Sequence, residues 1–292
     1  MQIQIKIVSA FVEDNKGGNP AGVVLDADGL TKEQKLEIAG KVGLSETAFV
    51  SHSNQADFKL DFFTPNRQIA HCGHATIATF SYLEQLGRIP HSESSKETIE
   101  GPRKVFIRDG NPYMEQRAPT YRDVSSISSE VMASLGLEPG DLLPNAPIQV
   151  VDTGNAMLIV PVNSAEALRR ITPNLETIDC ISEDLDLIGY YVFSLETQKP
   201  GRDATVRMFA PRYGIAEESA TGMGAGTLAC YLHDVLHIAQ KDFLIEQGYF
   251  MSPPAPSLLT AELNLGADAS IVNLLVGGKG IVTGEKSIYL SI

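Results

Sequence analysis

Basic residues are scarce in this 292-residue chain. Its 23 Lys and Arg face 36 Asp and Glu, for a formal net charge of -13. That balance disfavours nucleic acid and anionic membranes as general partners, although a local site can still hold an anionic small molecule. Only three cysteines occur, Cys72, Cys180 and Cys230. An odd count suits a reducing compartment better than a disulfide framework. No stretch approaches about 18 uninterrupted apolar residues, so no membrane span is expected. The opening MQIQIKIVSAFVEDN alternates polar and apolar residues like a strand and lacks the basic start and apolar core of a signal peptide. Cytoplasm is therefore the expected location. Several catalytic signatures are also missing: there is no phosphate-binding Gly-x4-Gly-Lys-Ser/Thr loop, no His-Glu-x-x-His frame and no Cys-x-x-Cys pair.

What is present suffices for two ordinary domains, with a hydrophobic fraction of 43% to build their cores. Strands are expected at 2–10 and 21–25 around a KGGNP turn, and at 47–51 and 58–63. Thr31 reads as the N-cap of a short helix over 33–42 that stops near Gly43. A second helix is expected over 76–85, ended by Gly87. The stretch 91–101, HSESSKETIEG, reads as a polar connection, followed by a hairpin at 105–108 and 113–116. Further strands are expected at 148–151, 157–160, 186–194, 204–209, 243–247 and within 270–292, with a helix over 227–236.

The two halves echo each other. When Gly73 is set against Gly222, CGHATIATFSYL lies over TGMGAGTLACYL, and Tyr82 falls on Tyr231. Phe63-Thr64-Pro65 precedes the first segment and Phe209-Ala210-Pro211 the second; Gly18-Asn19 likewise matches Gly154-Asn155. Three landmarks in one order indicate duplication. A helix start leaves backbone N–H groups unpaired and carries partial positive charge, and glycine there admits a ligand close to the backbone. Two such starts facing one interdomain cleft would grip a carboxylate without a metal.

The candidate chemical groups each have two readings. Glu46, in LSETAFV, enters an apolar strand, where desolvation suits a carboxyl to proton transfer; the alternative is a solvated strand-start residue. His74 could bond a substrate or serve as a structural imidazole. Cys72 could be an activated thiol at a helix start or a small packing residue. His71 and His74 have a spacing that could suit a metal, yet nothing around them completes a ligand set, so no metal site is expected. Gly222, Gly224 and Gly226 imitate a dinucleotide loop, but the acidic GIAEESAT before them is not the buried strand such a loop needs. Glu217 and Glu218 could stabilise a helix N-terminus, or Glu218 could accept a hydrogen bond from a substrate.

Taken together, GGNPAGVVLDADGL, GLSETAFV, FFTPNRQIAHCGHATIATFSYL, MFAPRYGIAEESATGMGAGTLACYL and VGGKGIVTGE resemble the phenazine-biosynthesis PhzF-like proteins, relatives of diaminopimelate epimerase. The resemblance spans nearly the whole chain. It implies an α/β (α+β) fold of two similar domains, each a mainly antiparallel sheet wrapped around a central helix. These would cover 1–118 and 119–280, with the final strand, about 281–292, returning to the first. It implies a cofactor-free isomerase of a small carboxylate-bearing substrate, commonly a homodimer; the family's best-understood reaction moves a double bond in a dihydro-hydroxyanthranilate. Carried over residue by residue, the resemblance implies Glu46 as the catalytic acid/base, Ser45, Gly73 and His74 as substrate contacts and Gly222 as the glycine of the second helix start; Gly222, Glu218 and Met223 are expected as further substrate contacts. The chain departs from the family where Glu218 replaces an Asp, Met223 a Ser and Ala75 a Pro. Thr221 occupies the place of the epimerase's second thiol, which excludes a thiol-pair mechanism. A racemase would need a second base, for which only His74 or Cys72 is available. The rival expectation is a protein of the same fold that binds small carboxylates without turning them over.

Overall fold

The alternation at the N-terminus does form a strand, Gln2–Ala10, which turns through KGGNP into Asn19–Val24. Gly18 makes that turn possible: its φ is +78°, and a Cβ there would lie 2.5 Å from the Ala10 carbonyl oxygen. The structure is a computed structural model describing residues 1–89 and 91–290. It divides into two compact units: Met1–Met114 with Gly277–Ile292, and Glu115–Val276. The divisions fall at 114/115 and 276/277 rather than 118/119 and 280/281. The terminal two residues of the expected last strand lie outside the described residues.

In unit 1, Asn19–Val24 pairs antiparallel with Gln2–Ala10 and parallel with Thr47–Ser51. Thr47–Ser51 pairs antiparallel with Phe58–Phe63, which runs parallel to Glu93–Thr98; that strand is antiparallel to Gly101–Arg108. On the outer side, Gly280–Tyr289 pairs antiparallel with Gln2–Ala10. Helix α1, Lys32–Val42, starts as expected on Thr31, which exchanges side-chain and backbone hydrogen bonds with Gln34, and ends on Gly43 with φ +74°. Its Ile38 packs with Ile5, Phe49, Phe63 and Ile288. Helix α2, Gly73–Gln85, buries residues all round its circumference, as a helix enclosed by a sheet must.

Unit 2 repeats the same pairing order. Gln149–Asp152 and Ala156–Pro161 form a hairpin at Gly154; Ala156–Pro161 runs parallel to Gly189–Ser194, which pairs antiparallel with Ala204–Ala210. Ala204–Ala210 is parallel to Asp242–Gln247, itself antiparallel to Ser257–Leu265. Thr120–Asp123 adds on the outer side of the hairpin. Three helices, α3 (Ser128–Leu135), α4 (Ala165–Arg170) and α5 (Leu175–Asp184), cover a core that includes Val131, Leu168, Ile178, Tyr190 and Phe209. Helix α6, Gly222–Asp234, is the counterpart of α2 and has the same length of 13 residues. The shared order of antiparallel and parallel pairings supports duplication independently of the sequence match.

The strands Thr120–Asp123, Ile215–Glu218 and Ser257–Leu265 were not expected, and three further departures have a clear physical reason. The polar connection at 91–101 contains a strand, Glu93–Thr98, whose Ser94, Lys96 and Thr98 are buried alternately. Its inward positions are polar, so hydropathy gave no strand signal. Helices α3 to α5 were not expected at all; they are short and polar on their outer faces, and packing on the sheet stabilises them more than propensity does. Finally, α2 and α6 begin at their glycines, earlier than the 76 and 227 read from the apolar period. In α6, a Cβ on Gly224 would lie 2.5 Å from the Tyr191 ring, and one on Gly226 2.1 Å from the Gln116 side-chain oxygen. These glycines accept close neighbours, which explains their spacing without a dinucleotide. No helix among the described residues is long and apolar enough to cross a membrane.

Gly226→Ala should therefore cost about 1–3 kcal/mol through overpacking. Gly29→Ala, where a Cβ meets nothing within 4 Å, should stay within about 0.5 kcal/mol. Urea unfolding of the two variants measures the contrast; equal stabilities would show that Gly226 is not sterically required.

Candidate active site

Glu46 is placed by the strand it precedes. Its backbone carbonyl accepts a hydrogen bond from Gly22 N–H at 3.0 Å, and Gly22 lies opposite Thr47 in the parallel pairing. A Cβ on Gly22 would come 2.8 Å from Thr47 Oγ1, so the glycine of GNPAGV lets the SETAF segment approach. The Glu46 side chain is 12% exposed. Ser45 beside it is exposed.

His74 lies in the first turn of α2 and is also buried. Its Nε2 is 3.2 Å from Glu46 Oε2. The atoms meet at ion-pair distance, while Oε2 accepts no aligned hydrogen bond. On the other edge of the ring, Nδ1 lies 3.5 Å from Cys72 Sγ. Cys72 is the N-cap of α2 but gives no side-chain cap, so the first N–H groups of the helix are not consumed by one. Thr76 instead turns its hydroxyl back, donating to the Cys72 carbonyl at 2.6 Å.

One ligand atom each from Glu46, Cys72 and His74 falls within 4.8 Å of the others. The imidazole, however, turns opposite nitrogens toward thiol and carboxylate. A line of this kind can pass a proton along; a metal ion needs its donors to converge on one point. His71 does not join His74. Its Nδ1 faces Lys96 Nζ at 3.1 Å, and its ring stands edge-on to Phe62. Burial, then the Lys96 and Arg103 charges, push the His71 imidazole down to about 2, so it stays neutral. Lys96 was missed in the sequence because it sits among Ser and Thr in a stretch that looked solvated.

In unit 2, α6 starts at Gly222 with Thr221 as N-cap, again without a side-chain cap. Thr221 Oγ1 donates to Glu218 Oε2 at 2.5 Å. The buried Gln247 amide organises this start: its oxygen accepts from Thr221 N–H and the Tyr191 hydroxyl, and its Nε2 donates to the Glu218 carbonyl and to Thr221 Oγ1. Met223 is half-buried in the first turn. Glu217 does not cap the helix. It forms a two-pronged pair with Arg207 at 2.9 and 2.8 Å, and Arg207 also donates to the carbonyls of Leu168 and Ile171. The two neighbouring acids thus have separate roles, one tying strands and the other held by the N-cap. A surface groove of unit 1 lined by Gln2, Lys6, Val24, Leu30 and Tyr82 includes none of these residues.

A two-unit fold of repeated pairing order, with glycine-started buried helices and a carboxylate–imidazole contact at one of them, agrees with an isomerase or epimerase type of protein. Residues 8–286 match the model of the phenazine biosynthesis-like (PhzC-PhzF) family, and the chain belongs to that family. It is 33% identical to the uncharacterized isomerase YfhB of Bacillus subtilis over 245 residues, covering 82% of this chain and 84% of that one. It is 29% identical to trans-2,3-dihydro-3-hydroxyanthranilate isomerase of Pseudomonas aeruginosa, over 97% and 98% of the two chains. The crystal structure of a PhzF-family phenazine biosynthesis protein from Bacillus anthracis superposes with a TM-score of 0.91 at 28% identity, over 99% of this chain and 100% of that one. The α/β fold implied by the resemblance is thereby established, as is membership of an isomerase family.

Because Arg207 and Glu217 are both largely buried, Arg207→Met should leave an uncompensated carboxylate and cost about 3–5 kcal/mol. Chemical denaturation measures this; a loss below about 1 kcal/mol would mean that Glu217 is solvated after all.

Proposed function

We propose that this protein is a cofactor-independent isomerase that moves a proton on a small carboxylate-bearing substrate, with Glu46 as the acid/base. The observation that carries this reading is the 3.2 Å contact of Glu46 with His74 at an uncapped helix start. A buried carboxylate next to an imidazole has a partner for either protonation state, and the adjacent N–H groups of Gly73 and His74 offer an anion site. In this reading the substrate carboxylate lies on those N–H groups and Ser45 adds a hydroxyl. Glu46 removes a proton from one carbon and returns it to another. Glu218, Gly222 and Met223 remain further proposed substrate contacts. The named substrate of the Pseudomonas relative is itself a carboxylate, which supports the class; the replacement of Asp by Glu218 and Ser by Met223 leaves the particular substrate open. The same reading expects a cytoplasmic homodimer that needs no metal, nucleic acid or membrane.

The rival reading is a small-carboxylate-binding protein without turnover. It is favoured by the Glu218 carboxylate already being engaged by Thr221 and by the missing hydroxyl at Met223.

The test incubates the protein in heavy water with a panel of small cyclic carboxylic acids that includes trans-2,3-dihydro-3-hydroxyanthranilate. Deuterium should enter one of them at carbon, and Glu46→Gln should slow that entry by about 10²–10⁴-fold. Exchange unaffected in Glu46→Gln removes Glu46 from the mechanism, and binding without exchange establishes the rival.

A further inference from the structure

The Glu93–Thr98 strand delivers a lysine to a buried place where, among the described residues, no carboxylate comes within ion-pair distance of it. Lys96 is 1% exposed. Its Nζ lies 2.5 Å from Thr76 Oγ1, 3.1 Å from His71 Nδ1 and 3.9 Å from Met114 Sδ, and 5.2 Å from the centre of the Phe62 ring. None of these partners is an anion. A buried ammonium so placed is costly, and an apolar side chain of the same length would fill the space more cheaply. Such a side chain would leave His71 and Thr76 without their shared donor. These two residues bracket Cys72, Gly73 and His74. The Thr76 hydroxyl proton is already given to the Cys72 carbonyl, so its oxygen can only accept from Lys96. His71 likewise presents Nδ1 as an acceptor, which puts its proton on Nε2.

We propose that Lys96 is a positioning residue of the Glu46–His74 site: its buried ammonium fastens the turn that starts α2 from both sides, through His71 and Thr76, and the turn loosens when the amine gives up its proton. Its bearing on catalysis rests on the reading of Glu46 and His74 as the proton-transfer pair.

The charged and titratable groups facing Lys96 are few. His71 and Cys72 face it from the segment before α2, Arg103 from the Gly101–Arg108 strand and Glu100 from the turn before it; α2, Phe58–Phe63 and Asn111–Arg117 contribute the uncharged Thr76, Phe62 and Met114. Burial dominates and pushes the Lys96 ammonium down to about 7; Cys72 and Glu100 oppose this and Arg103 adds to it. The sign for stability follows. Below about 7 both folded and unfolded chains carry the proton, and the burial penalty is fully present. Between about 7 and the ordinary lysine value of 10.5 the unfolded chain binds the extra proton, so this group makes the fold more stable as pH rises. Anchoring runs the other way, since an ammonium has three donors and an amine two. His71 stays neutral throughout this range, so a change in its signal near pH 7 reports on Lys96.

The test is an NMR titration of the whole protein labelled with ¹³C-lysine and ¹⁵N, from pH 5.5 to 9.5. One lysine side chain should titrate near 7, and the ring nitrogens of His71 and the amide of Gly73 should shift with the same midpoint. In Lys96→Met that step should vanish from both His71 and Gly73. The proposal is overturned if every lysine titrates near 10.5, if Gly73 does not follow His71, or if the step survives in the variant. The wild-type titration decides the matter by itself should Lys96→Met not fold. If the shifts appear but Glu46→Gln leaves isotope exchange intact, the proton-transfer reading fails and the anchoring role of Lys96 stands.

Discussion

The function proposed for this protein depends on one contact, in which a carboxylate and an imidazole approach to 3.2 Å with little water around them. Neither group could be held there by its own chain segment. Glu46 precedes a strand and would be free to swing outward if Thr47 were not pressed against Gly22 in the parallel pairing. His74 is fixed because α2 is buried on all sides, so its first turn cannot fray as a surface helix would. The contact is the meeting of a strand start and a helix start that the sheet of unit 1 holds rigidly.

The helix start has its own support. A first turn with no side-chain cap leaves its N–H donors open, so the segment leading into it is held by other contacts. In α2 the Thr76 hydroxyl and the Lys96 amine fasten the Cys72 carbonyl and its surroundings from the interior. In α6 a neutral amide, Gln247, carries out the corresponding task at Thr221. The two repeats thus solve one problem with different chemistry. The amide satisfies its partners at any pH. The lysine does so most strongly as an ammonium, since the neutral amine keeps two weaker donors for His71 and Thr76, so the pH sensitivity we propose belongs to the repeat that also carries Glu46.

Much of this was legible in the chain. The turn residues of KGGNP, the Thr31 cap and the Gly43 stop are local signals, and local signals survive folding. The internal repeat was readable because glycines, aromatics and prolines mark positions where backbones pass closely. Glu46 and His74 could be named as candidates, but their proximity could not be deduced, since it arises from strand register across residues far apart in sequence. Lys96 was illegible for a different reason. A strand whose inward positions are Ser, Lys and Thr has the polarity of a loop, and only the partners contributed by α2 and the neighbouring strands make it an interior one. The short helices α3 to α5 were lost similarly, being stabilised mainly by the sheet they cover.

Identical residue types reach different ends here, and burial with partner identity accounts for the difference. Glu217 and Glu218 are adjacent, yet a strand sends successive side chains to opposite faces. One therefore meets the Arg207 fork, which binds both oxygens; the other meets a hydroxyl at the N-cap. Glu46 is somewhat more buried than Glu217 and faces an imidazole instead of a guanidinium. A guanidinium does not give up its proton near neutrality, whereas an imidazole can both donate and accept one. Of the three carboxylates, Glu46 is the one that faces an imidazole. That partner supports the proton-transfer role proposed for Glu46.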